Sequence, residues 1–140
     1  MIKSLIDAGP IIALFDKSDN YHEIVLKYFK DKNIKLYSTW PVITEVTHML
    51  TFNNNVQIDF LTWVSKNAIE IIEIKTNEVF KIIEMMKKYS DIPMDLADAS
   101  LLYISEILKI NKIITIDCDY YFYRTKNKKM LENLIDKLIK

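Results

Sequence analysis

Four acidic residues lie far apart along the chain, each where a short apolar run meets a helical pattern: Asp7 after KSLI, Glu45 in WPVITEVTHML, Asp98 in PMDLADASLL and Asp117 after KIITI. A lone carboxylate in apolar surroundings is costly and tends to neutralise itself, so repeated placement of this kind calls for a shared counter-ion. Carboxylate oxygens suit hard divalent cations, which can promote attack by water. The pattern points to a metal-dependent enzyme.

Each of these residues also has a plainer reading. Asp7 precedes Ala8, Gly9 and Pro10, and suits the cap of a helix starting near Pro10. Gly9, the only glycine, is expected to hold a backbone conformation that side chains hinder. Asp117, Cys118 and Asp119 also read as a polar turn, Asp119 more readily than Asp117. Asp95 and Asp98 share a helix face in its first turns, where the dipole accommodates negative charge. That accounts for Asp95 well and for Asp98, flanked by Ala97, Ala99 and Leu101, less well. Glu45 sits among Val42, Ile43, Val46 and Met49, with an exposed helix face as its alternative.

The elements that must position these residues alternate. IKSLI, IKLYST, AIEIIEI and NKIITI are short and rich in β-branched and large apolar residues, as strands are. Between them, NYHEIVLKYFKDK reads as a helix with Asn20 and Glu23 spaced as a capping pair. WPVITEVTHMLTF follows, with Pro41 at a first-turn position. VQIDFLTWVSKN, NEVFKIIEMMKKYS and PMDLADASLLYISEILK are further helices, the last with Ala97, Leu101, Ile104 and Leu108 on one stripe. Strands separated by helices imply parallel pairing, with a ligand site beyond the strands' carboxyl ends where strand order reverses. After Arg124, Leu131, Leu134, Ile135 and Leu138 form a helical stripe expected to dock on the core, or else to serve a partner.

With 140 residues, half of them hydrophobic, residues 1–140 are expected to form one domain. Nineteen basic and nineteen acidic residues cancel, so nucleic-acid binding would need a local patch. The single cysteine, Cys118, excludes an internal disulfide and is expected to be small and buried; a cytoplasmic setting is the default. Asp7 and Asp16 interrupt the apolar start, which therefore does not read as a secretory signal, and no segment reaches membrane-span length. A single glycine allows neither a dinucleotide fingerprint nor a Walker loop. An aspartyl phosphatase would want an acidic residue at position 9, and would form a phosphoaspartate at Asp7.

The stretches LIDAGPIIALFDKSDNYH, YSTWPVITEVTHML, PMDLADASLLYISEILKINKIITID and DYYFYR resemble PIN-domain ribonucleases, especially the group related to VapC toxins, across residues 4 to 124. The resemblance implies a three-layer α/β/α domain with a central parallel sheet of four or five strands, often dimeric. It implies that Asp7, Glu45, Asp98 and Asp117 surround magnesium, with manganese as a substitute, and that Asp95 and Asp119 support them. An RNA phosphodiester substrate and a small antitoxin partner follow from the same likeness. Two departures stand out: Ala8 and Gly9 replace the Ser or Thr that many relatives carry there, and the helical tail leaves the fifth strand unassigned.

Arg124, Lys126, Lys128 and Lys129 put four positive charges in six residues, a candidate RNA contact or a solvated loop. Tyr120, Tyr121, Phe122 and Tyr123 offer base stacking, with at least half expected in the core. His48 is expected to be packed or hydrogen-bonded rather than a ligand. The non-enzymatic alternative is a catalytically inactive PIN-like module that binds RNA or protein, whose mark would be an incomplete acidic set.

Overall fold

Short apolar runs separated by helices form a five-stranded, all-parallel sheet in the computed structural model, which describes residues 1–140. The strands are β1 (Ile2–Ile6), β2 (Ile34–Ser38), β3 (Ile69–Ile71), β4 (Lys112–Ile114) and β5 (Glu132–Asn133). Their order across the sheet is β3-β2-β1-β4-β5. The helices are α1 (Ala8–Phe15), α2 (His22–Lys30), α3 (Trp40–Met49), α4 (Asn54–Ser65), α5 (Val79–Lys88), α6 (Leu96–Leu108) and α7 (Asp136–Ile139). They flank the sheet to give three α/β/α layers. None is long and apolar enough to cross a membrane.

Strands covered on both faces read as continuous apolar runs, and the centre of this sheet does so. Leu5 and Ile6 of β1 pair with Ile113 and Ile114 of β4, and all four side chains are fully buried. On the other flank β1 pairs with β2, from Ile2 opposite Ile34 to Leu5 opposite Tyr37. Phe15, Phe60 and Trp63 close one helical layer by edge-to-face contacts at 5.4–5.5 Å from Phe15. Of the expected stripe of α6, Ala97, Leu101 and Ile104 are buried and Leu108 is half-buried, but the helix is buried all round from Ala97 to Ser105 rather than along one face. Pro41 stands in the first turn of α3, as its missing amide proton favours.

Four local expectations are corrected. The segment after Arg124 is not one helix: Glu132 and Asn133 form β5 beside Lys112 and Ile113, and only Asp136–Ile139 is helical. Leu131 and Ile135 are buried there, so the apolar spacing that suggested a helix is met by a strand and a turn packed on β4. Asn20 and Glu23 do not cap α2, whose preceding residue Tyr21 makes no side-chain cap. Asp19 organises that corner instead: its carboxylate accepts the Tyr21 N–H at 2.9 Å and its carbonyl accepts the His22 N–H at 3.0 Å. Gly9 is helical without a positive φ, and a Cβ placed on it would make ordinary contact with Ile116 at 3.5 Å. Cys118 is exposed, on the short turn after Asp117.

Candidate functional site

Strand order reverses between β1 and β4, and Asp7 and Asp117 follow those two strands toward the carboxyl edge. Asp7 continues the ladder by donating its N–H to the Ile114 carbonyl at 3.0 Å, then leaves it to cap α1. Its carboxylate accepts the Ala8 N–H at 2.8 Å on Oδ1 and the Thr115 hydroxyl at 3.0 Å on Oδ2. The same Thr115 oxygen accepts the Asp117 N–H at 3.0 Å, so one hydroxyl joins the ends of both strands. Asn133 of β5 fixes Thr115 in turn, accepting its N–H at 3.3 Å and donating to its carbonyl at 2.9 Å.

The other two acidic positions arrive on helices. Asp95 caps α6, its Oδ1 accepting the Asp98 N–H at 2.8 Å, which places Asp98 in the first turn facing the strand ends. Glu45 rides on α3, which is fastened to α6 where the Thr39 hydroxyl meets that of Ser100 at 2.6 Å. Ser100 spends its own proton on the Ala97 carbonyl, so Thr39 is the donor.

Asp7, Asp98 and Asp117 each present a carboxylate oxygen within 4.8 Å of the others. Glu45, Asp95 and Asp119 line the same open cleft, and no Lys or Arg does. All six acidic residues singled out in the sequence therefore meet in one place, with three at its centre. A cluster of hard oxygen donors without an internal cation is a donor set that fits a hard divalent cation.

A family profile described as the PIN domain matches residues 4–128. The chain belongs to the PIN-domain family. The match takes in Asp7, Glu45, Asp98 and Asp117 and ends before β5. Solved structures share the PIN fold. VapC20 from Mycobacterium tuberculosis, described as a sarcin-ricin loop cleaving toxin, superposes with a TM-score of 0.76 at 12% identity, over 84% of this chain and 92% of that one. VapBC2 from Rickettsia felis, bound to a DNA fragment from its promoter, gives 0.63 at 14% identity, over 95% and 98%. No curated protein matches the sequence.

Within this cleft, burial pushes the Asp7 carboxyl up to about 7, opposed by its two hydrogen bonds and reinforced by the charges of Glu45 and Asp117. Burial pushes Asp98 up to about 8, with Asp95, Asp7 and Asp117 adding repulsion. Glu45, on the exposed side of α3, and Asp119 are raised by partial desolvation at the cleft and by neighbouring carboxylates.

The basic residues stand elsewhere. Lys126, Lys128 and Lys129 are exposed on a tight turn, whereas the Arg124 guanidinium donates to the Tyr121 and Tyr123 carbonyls. His48, expected to be packed or hydrogen-bonded, is instead exposed, because it falls on the solvent side of α3; His22 Nδ1 lies 2.7 Å from the Ala13 carbonyl, tying α2 to α1. Of the aromatic run, Tyr120 and Tyr123 are buried and Phe122 is exposed. Sequence reading missed Thr115 and Asn133. The signal for Thr115 was a hydroxyl inside an otherwise apolar strand, two residues before Asp117. Asn133 left none, because β5 itself was not foreseen.

The raised carboxyls make stability depend on pH in a definite direction. The unfolded chain releases these protons near pH 4, whereas Asp7 and Asp98 in the folded chain hold theirs to about 7 and about 8. Across that window the folded state binds more protons, so stability falls as pH rises. The metal-free Tm should be higher near about pH 5 than near about pH 8.5, and magnesium should raise it mainly at the higher value, where ionised ligands are available. Thermal scans with chelator and with magnesium check this; a metal-free Tm that climbs across the window contradicts it.

Proposed function

We propose that this chain is a magnesium-dependent ribonuclease, with manganese as a substitute, and that Asp7, Glu45, Asp98 and Asp117 are its metal ligands, aided by Asp95 and Asp119. The observation that carries the proposal is the cleft itself: six carboxylates line it and no cationic side chain does. An RNA phosphodiester is an anion and would be repelled from such walls, so the cleft can serve it only with a cation in place. When bound, a divalent cation supplies charge neutralisation at the phosphoryl oxygens and lowers the pKa of water.

The chain's own residues hold and aim the donors. Ala8 and Thr115 fix the two Asp7 oxygens, the Asp119 N–H fixes Asp117 at 2.9 Å, and the α6 first turn aims Asp98. No histidine lines the cleft, and the proposed reaction would call for no imidazole base. End-labelled structured RNA should be cut by the wild type with magnesium or manganese and spared with chelator. Asp98→Asn should cut it roughly 100-fold or more slowly. A folded Asp98→Asn protein with wild-type hydrolysis would refute the assignment.

RNA contact falls to the exposed lysines of the 124–129 turn, while the Arg124 guanidinium is engaged with the Tyr121 and Tyr123 carbonyls. Replacing Lys126, Lys128 and Lys129 by Gln should weaken RNA binding and flatten the slope of log K against log salt by up to about 2. An unchanged slope removes the turn from the RNA path.

The VapC20 and VapBC2 neighbours support a toxin of a toxin-antitoxin pair, with a small antitoxin covering the acidic cleft, acting in the cytoplasm. Phe80, Ile83 and Met86 leave an apolar face of α5 exposed, which supports a homodimer. Light scattering should give twice the chain mass, and Phe80→Glu with Ile83→Glu should halve it; a wild-type monomer at high concentration rules the dimer out.

A further inference from the structure

Asp98 is gripped from behind by two phenols. The Tyr120 hydroxyl donates to its Oδ1 at 3.3 Å, and the Tyr123 hydroxyl lies 3.3 Å from its Oδ2, with its single proton shared between that oxygen and the Pro93 carbonyl at 3.1 Å. Both rings are buried, and they pack edge to face with centroids 5.3 Å apart. Tyr89 closes the far side of Tyr123 at 5.2 Å, while its own hydroxyl accepts the Arg124 N–H at 2.7 Å. Tyr120 stands on the short helix Cys118–Tyr121 that Asp117 caps, so the segment that presents Asp117 also restrains Asp98.

Packing alone would not need these hydroxyls. Phenylalanine would fill the same space, and a buried phenol must find a partner or lose stability. Here the partners are the two oxygens of one clustered carboxylate. A carboxylate met by a hydroxyl at each oxygen is restrained in rotation about its last bond, and its remaining lone pairs are left for the cleft. Groups that orient ligands in this way are commonly worth about 10- to 100-fold in metal affinity.

We propose that Tyr120 and Tyr123 are positioning residues that hold the Asp98 carboxylate toward Asp7 and Asp117 and thereby set the affinity of the cleft for a divalent cation. The inference rests on the metal-site reading above. Tyr120→Phe is the cleaner variant, because Tyr123 also reaches the Pro93 carbonyl at 3.1 Å. Tyr89→Phe is the control, since it removes a buried hydroxyl from the same aromatic stack without touching Asp98.

Calorimetric titration with manganese of the wild type, Tyr120→Phe, Tyr123→Phe, Tyr89→Phe and Asp98→Asn tests it. Tyr120→Phe and Tyr123→Phe should each raise the manganese Kd by about 10-fold or more, with Tyr89→Phe unchanged. In RNA cleavage the metal concentration for half-maximal rate should shift in proportion, and kcat should recover at saturating metal, which a general packing defect would not allow. Wild-type affinity in both tyrosine variants, with binding lost in Asp98→Asn, overturns the clamp and leaves the ribonuclease reading standing. Absence of manganese binding by the wild type overturns both. Should Tyr123→Phe fail to fold, Tyr120→Phe decides alone.

Discussion

Mutual repulsion among carboxylates that share a cleft is the constraint around which the rest of the structure is arranged. Two unit charges 4.8 Å apart, the outer limit for Asp7, Asp98 and Asp117, repel by roughly 3 to 4 kcal/mol at an effective dielectric of about 20. Three such pairs, two of the groups buried, would push these side chains toward solvent or toward neutrality unless something held them. Backbone N–H groups, one threonine and two tyrosines do the holding, and burial, reinforced by the neighbouring carboxylates, still raises the Asp7 and Asp98 carboxyls to about 7 and about 8. A site assembled at this cost is suited to an occupant of opposite charge.

The topology makes the assembly compact. Because β1 and β4 are neighbours with their followers on opposite flanks, Asp7 and Asp117 emerge side by side although 110 residues separate them in sequence. Thr115 couples them directly, and β5 stabilises Thr115 through Asn133. The two-residue strand at the sheet edge therefore reaches the chemistry: its loss would free Thr115, and with it the orientation of Asp7. The opposite wall is built the same way, from the Thr39–Ser100 contact between α3 and α6 and from the tyrosines beneath Asp98.

Much of this was legible in the sequence, for reasons that can be named. Asp7 and Asp117 were readable because polar residues ending apolar strands are rare without purpose, and Asp98 because the first turn of an otherwise buried helix carries it. The fold class followed from strand and helix periods alone. What escaped was long-range or locally ambiguous. Leu131, Leu134, Ile135 and Leu138 fit a helical stripe, yet pairing with β4 outweighs that preference once Leu131 and Ile135 are buried. Likewise the single glycine invited a conformational argument, whereas Gly9 lies in an ordinary helix. The Tyr120 and Tyr123 hydroxyls are more than 20 residues from Asp98, and no spacing rule could pair them with it.

The central claim is that the cleft bounded by Asp7, Asp98 and Asp117 binds a divalent cation. The most direct measurement is a crystal of the protein grown at saturating manganese, with anomalous scattering recorded at the manganese edge. The account predicts an anomalous peak among the three carboxylates, at a distance of about 2.0 to 2.3 Å from oxygens of at least two of them. Saturating manganese with no peak there, or with the cation bound only at a surface position, would contradict it.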